Sequence, residues 1–283
     1  MRTKDFYKLK QLAESGNAKA QYKLGNYFFH GKHIDDAEAF RWYLCAAEQG
    51  LAEAQYAAAD CYAIGMGTKE DWAKAFQLYL RAAEQGHISA QFDAAECLAT
   101  GTGTEQNPKE AVKWYLKSAE GGNADSQTAL GLIYSEGELA PLIPQNFTEA
   151  AKWYCLAVEQ GDMIAQHNLG CMYLNGNGVE QDYDRAFKLF LLSAKQGSVY
   201  ALTNLGYCYE KGYGTPCNLK KSVKYYRRAA EQGDEVAAFN LAESYEHGRG
   251  IEKDLTKSLE WYRISAERGD EEAQEKVRKF TET

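Results

Sequence analysis

Proline is scarce, with 4 in 283 residues, so glycine, at 25, does most of the punctuating. Long apolar runs are missing. No stretch approaches the ~18 uninterrupted apolar residues that read as a membrane-spanning helix. The opening residues, Met1 to Leu12, interleave Arg2, Lys4, Asp5, Lys8 and Lys10 with single apolar residues. They contain no apolar core of a secretory leader, so the sequon Asn146-Phe147-Thr148 is not expected to carry glycan. Positive charge is in deficit: 32 Lys and Arg against 40 Asp and Glu give a net charge of −8 and a pI near 5.3. That balance argues against nucleic acid or an anionic membrane as the main partner.

Chemistry-bearing groups are also sparse. The 7 cysteines are odd in number and irregularly spaced. Cys45, Cys61, Cys97, Cys155 and Cys208 fall at mainly apolar positions, which fits buried thiols in a reducing cytoplasm better than a disulfide framework. The 5 histidines are scattered. His30-Gly31-Lys32-His33 with Asp35 and Asp36 is a metal-like grouping, but no second cluster completes a four-ligand site, so neither metal nor cofactor is expected. There is no Gly-x-Ser-x-Gly elbow. The Gly-x-Gly turns follow no strand and precede no Lys-Ser/Thr, so they are not phosphate loops. Catalysis is therefore not expected.

What the chain does have is a period. Ala-Ala-Glu-Gln-Gly at 46–50 returns at 82–86, and relatives end at Gly122, Gly161, Gly197, Gly233 and Gly269. From Gly50 to Gly269 the intervals are 36, 36, 39, 36, 36 and 36 residues. A fixed spacing of this length marks a stack of small supersecondary units. In residues 51–86, Ala54, Ala58, Ala59 and Tyr62 predict a first helix. Gly65-Met66-Gly67 stops it, with the first glycine as a left-handed C-cap and the second permitting a tight turn. Trp72, Ala75, Phe76, Tyr79, Ala82 and Ala83 predict a second helix. Seven units repeat this grammar: 17–50, 51–86, 87–122, 123–161, 162–197, 198–233 and 234–269. Large rings of the second helix face Ala and Gly of the first, a face that only stacked neighbours can bury.

Two motifs carry a family resemblance. Ala-Gln-x-Asn-Leu-Gly-x-x-Tyr-x-x-Gly-x-Gly at 165–178, and the Ala-x-x-Trp-Tyr-x-x-Ala-x-x-Gln-Gly pattern at 150–161, resemble the Sel1-like repeat, a relative of the tetratricopeptide repeat. The resemblance covers 17–269. It implies an all-α, right-handed superhelical solenoid with first helices lining a concave face, and an adaptor or scaffold role, which is an inference by association. Residues 1–16 read as a lone second helix and 270–283 as a lone first helix. Lys8 stands where other units hold Trp, and Arg278 ends the small-residue column Gly25, Ala59, Ala95, Gly131, Gly170, Gly206 and Ala242. Both segments are therefore expected to be capping helices.

By analogy with related repeats, the groove column is Lys23, Ala57, Asp93, Ala129, Asn168, Asn204 and Asn240. Its last three members suggest an asparagine ladder that clamps an extended peptide, flanked by His167, Tyr207, Phe239 and Glu243. The alternative is that these amides only tie helices together. A carboxylate clamp is disfavoured, because the neighbouring column reads Ile164, Tyr200 and Val236 rather than Lys or Arg. The long unit contains Gly137 to Pro144, where Leu139, Leu142 and Ile143 are expected either to meet a partner or to fold onto adjacent helices. The stripe Lys220, Lys221, Lys224, Arg227 and Arg228 reads as a solvated face. The expected partner is thus a protein or peptide, and the oligomeric state is left open. Two further roles follow from the resemblance alone: an immunity-type inhibitor of a co-encoded toxin, and a β-lactam or cell-wall hydrolase as in cysteine-rich secreted relatives.

Overall fold

The structure is a computed structural model that describes residues 3–30, 34–137 and 143–281. Among these are sixteen helices and no strand. The first helices of the units are α2 (Ala18–His30), α4 (Ala52–Ile64), α6 (Ile88–Thr100), α8 (Ala124–Glu136), α10 (Met163–Asn175), α12 (Val199–Lys211) and α14 (Glu235–His247). The second helices are α3 (Asp36–Glu48), α5 (Trp72–Glu84), α7 (Pro108–Glu120), α9 (Phe147–Glu159), α11 (Tyr183–Lys195), α13 (Leu219–Ala230) and α15 (Leu255–Glu267). α1 (Thr3–Glu14) precedes them and α16 (Glu271–Thr281) follows. The all-helical, seven-unit reading is what the structure shows. The chain forms two compact units that meet in sequence at Leu130 and Gly131, inside α8.

Local chemistry sets the helix ends. Each second helix opens on an Asp or Asn whose side chain accepts from the N–H three residues on, as Asp71 does from Lys74 at 3.0 Å and Asn218 from Lys221 at 3.0 Å. Such a cap contributes about 1 kcal/mol. At the far end of α12, Gly212 adopts φ 77° and its N–H reaches the Cys208 carbonyl at 2.8 Å. Gly214 has a second reason to be glycine that spacing did not disclose. A Cβ there would lie 2.2 Å from the Tyr183 carbonyl oxygen, at the start of α11 in the preceding repeat. The second glycine of the turn is therefore a contact between repeats.

Packing alternates large with small. In the C-terminal unit Tyr226 is 1% exposed and lies against Gly206, where a Cβ would sit 2.5 Å from its ring. Its cluster joins Leu202, Val223, Ala229, Ala230, Ala237, Ala238 and Leu241 across α12, α13 and α14. The recurring Gln-Gly phrase also has a physical reason. The Gln55 side chain is buried and donates to the Ala47 carbonyl at 3.3 Å, while Gln85, from the phrase itself, donates to the Gln55 oxygen at 2.7 Å. Gln91 repeats the first bond to Ala83 at 3.2 Å, and Gln196 repeats the second to Gln166 at 2.9 Å. These amides satisfy carbonyls near the C-terminal ends of second helices that burial would otherwise leave unpaired.

Candidate functional site: the first-helix face of the C-terminal unit

Each first helix presents the same register to its neighbours, so residues can be compared by position. At the second position the N-terminal unit carries Lys19, Glu53, Ser89 and Asp125. In α10, α12 and α14 that position becomes Ile164, Tyr200 and Val236, exposed by 50%, 66% and 51%. Three large apolar side chains in one register, left open to solvent, form a stripe where four earlier repeats put polar groups.

Beside the stripe lies a hollow of 670 Å³. Its apolar wall comes from Leu132 of α8, Met163 and Ile164 of α10, and Val199 and Tyr200 of α12. His167 and Asn168 also line it, and the start of α14 adds Asp234 and Glu235. The charged groups in this lining are both acidic. Asp234 is buried and spends one oxygen on its own helix, accepting from the Ala237 N–H at 2.6 Å.

His167 organises the polar side of the hollow. Its Nε2 accepts from the Asn204 amide at 2.9 Å, so Nδ1 carries the proton and donates to Asn168 Oδ1 at 3.1 Å. Burial pushes the imidazole below its ordinary value, against smaller opposing effects of Asn168 and Asp234, so the ring is neutral at pH 7. Asn168 in turn donates to the Tyr154 hydroxyl at 3.3 Å. Cys171 Sγ lies 3.6 Å from His167 Nε2, but burial pushes its thiol up to about 11. A nucleophilic Cys–His pair needs the opposite shift. The arrangement holds a fixed, uncharged floor.

The structure brings some sequence-selected residues together and separates others. Asn168, His167 and Asn204 form one network. Asn240 lies apart, with Glu243, Glu210 and Arg249 around a crevice of 10 Å³, room for about one water. Arg249 donates to Glu243 at 3.2 Å. The Phe239 ring packs 5.3 Å from that of Tyr262, and Tyr207 lies 5.7 Å from the Tyr213 ring. Of the two alternatives for Ile143, contact with a partner or folding onto the protein, the structure shows a buried side chain, 9% exposed and grouped with the N-terminal unit. Leu139 and Leu142 lie outside the described residues, as does His33 of the metal-like grouping. Among the described residues no three His, Cys, Asp or Glu side chains cluster as metal ligands, and no helix is long and apolar enough to cross a membrane.

The switch at the second position stood in the sequence as the column Ile164, Tyr200 and Val236. Sequence reasoning missed a row of buried tyrosines whose hydroxyls donate to first-helix acceptors: Tyr79 to Asp60 at 2.7 Å, Tyr115 to Glu96, Tyr226 to Glu210 at 3.0 Å and Tyr262 to Glu246 at 2.6 Å. In the N-terminal unit this row concentrates carboxylates. Burial, with the neighbouring charge of Asp60 and smaller effects of Glu96 and Asp125, pushes Asp93 up to about 6, although the Tyr56 hydroxyl opposes the shift. The folded state then holds more protons than the unfolded one between about pH 4 and pH 6, so stability falls as pH rises through that window. Asp93→Asn is expected to stabilise the protein above pH 6 by on the order of 1 kcal/mol, discounted for partial solvation. No gain is expected below about pH 4. Urea unfolding of both proteins at pH 4 and pH 8 checks this, and equal differences at the two values would contradict it.

Comparison with known proteins places this geometry. A crystal structure of a protective antigen present in uropathogenic Escherichia coli strains, displaying an SLR fold, is 36% identical with a TM-score of 0.85, covering 95% of this chain and 58% of that one. This chain thus spans little more than half the length of that relative. A crystal structure of a Sel1 repeat protein from Oxalobacter formigenes is 32% identical with a TM-score of 0.74, covering 87% of this chain and 96% of that one. No curated protein matches the sequence. The family model of the Sel1 repeat matches seven times, at 18–51, 52–87, 88–123, 124–162, 164–198, 199–234 and 236–270, and the chain belongs to the Sel1-repeat family.

Proposed function

We propose that this chain is a non-catalytic scaffold that holds a protein or extended peptide on the first-helix face of its C-terminal unit. The observation that carries the reading is the exposed stripe Ile164, Tyr200 and Val236 beside the 670 Å³ hollow. Soluble proteins rarely leave contiguous large apolar groups in water without a use for them. A lining that is mostly apolar with a few fixed polar groups is the usual make-up of a binding site. The His167 network supports the reading, because a floor already hydrogen-bonded and uncharged costs little to desolvate. The net charge of −8 favours a protein partner over nucleic acid or an anionic membrane. Cytoplasmic residence belongs to the same proposal, supported by buried Cys61, Cys97 and Cys208, which behave as small apolar side chains.

The test compares captures. Wild-type protein, an Ile164→Ser/Tyr200→Ser variant and a Lys19→Ser/Glu53→Ser control serve as baits in lysate of the native organism. The reading expects one partner band retained by wild type and control and reduced at least tenfold by the stripe variant, since two anchors at about 1–2 kcal/mol each are removed. A partner that all three baits retain equally would refute it.

A further inference from the structure

We infer that the hollow of the C-terminal unit selects a segment in which a bulky aliphatic side chain stands next to Lys or Arg, and discriminates against the same segment carrying Asp or Glu. This rests on the binding role proposed above and adds the chemistry of the occupant. The apolar half of the recognition follows from Met163, Ile164 and Val199, which line a space of 670 Å³, enough for one or two side chains and the backbone that carries them. The Tyr200 ring lies 5.9 Å from that of His167, and 66% of the residue is exposed. An occupant's aliphatic chain or cationic head can cover the exposed part of the ring.

The cationic half follows from the charges. Among the residues lining the hollow, Asp234 and Glu235 are charged and no Lys or Arg is present. His167 adds no positive charge, because both ring nitrogens are engaged and burial holds it neutral at pH 7. A basic head entering beside Glu235 meets a compensating charge, while a carboxylate meets two like charges next to apolar walls. Mismatches of that kind enforce specificity more strongly than matched pairs add affinity.

The test uses methyl NMR of the full chain, following Met163, Ile164 and Val199. The probes are N-acetyl-Leu-Lys-amide, N-acetyl-Leu-Glu-amide and N-acetyl-Gly-Lys-amide. At low salt, Leu-Lys is expected to shift these methyls with an affinity about threefold or more above that of Leu-Glu, the range of a partly exposed charge pair. The difference should collapse in Glu235→Gln and with added salt, and Gly-Lys should bind weakest. Ile164→Ser, a change at a half-exposed position, is expected to keep the fold and to weaken both Leu probes. Equal affinities for Leu-Lys and Leu-Glu would overturn the inference while leaving the binding face standing. Gly-Lys binding as well as Leu-Lys would overturn the aliphatic anchor. If no probe moves the methyls, the inference and the binding role fall together. If the signals instead broaden with protein concentration and Ile164→Ser abolishes this, the occupant is a second copy of the chain and the inference fails.

Discussion

Tyr226→Ala is expected to cost about 3–5 kcal/mol, the range for removing a fully buried ring. The ring is 1% exposed and fills the layer between Gly206 and the start of α14, so nothing small nearby can fill the void. Each repeat touches only its neighbours, so a cavity in the sixth repeat weakens α12 and α14 together. Tyr226→Phe separates the ring from its hydroxyl. It removes one bond, to Glu210 at 3.0 Å, and should cost about 1 kcal/mol. The fifth repeat shows that a ring without a hydroxyl packs in this register, because Phe190 stands there at 0% exposure. Urea unfolding followed by far-ultraviolet circular dichroism measures both. A Phe variant as unstable as the Ala variant would mean that the hydroxyl, not the ring, holds the layer.

Gly214→Ala is expected to cost about 2–4 kcal/mol, more than Gly212→Ala two residues earlier. Both glycines adopt positive φ, 77° at Gly212 and 64° at Gly214, so each pays about 1 kcal/mol of backbone strain on gaining a side chain. They differ in surroundings. A Cβ at Gly212 would come no closer than 3.4 Å to another heavy atom, a tight but tolerable approach. At Gly214 it would meet the Tyr183 carbonyl oxygen at 2.2 Å, and backbone at the start of α11 cannot swing aside as a side chain can. Overpacking of that kind adds about 1–3 kcal/mol. Equal costs at the two positions would show that the turn alone, not the contact between repeats, demands the second glycine.

The architecture was legible because a solenoid writes its packing into the sequence once per repeat. Gly25, Gly170 and Gly206 stand in one column of the sequence, and each faces the ring of its partner helix. Side-chain direction was less legible. The Gln of the Gln-Gly phrase sits at a helix end, and spacing does not reveal that its amide reaches the buried Gln of the first helix. The asparagine column has the same limit. Asn168 and Asn204 are joined because His167, one residue before Asn168, reaches both. The matching place in α12 is Thr203, whose hydroxyl turns back to the Val199 carbonyl at 3.5 Å, so nothing of the kind links Asn204 to Asn240. Three identical residues in register therefore have three different surroundings. Ile143 was ambiguous for a different reason, since an isolated apolar residue in a long loop is compatible with burial or contact, and the structure buries it.

The binding face is tested most directly by photo-crosslinking in cells of the native organism. A benzophenone side chain is placed at Tyr200, and in separate proteins at Glu53 of the N-terminal unit and at Lys224 of α13. All three sites are exposed, so none is expected to disturb folding. The account predicts a discrete adduct from position 200, weakened by Ile164→Ser, and none of that mass from 53 or 224. Adducts from 53 or 224 with none from 200 would contradict it.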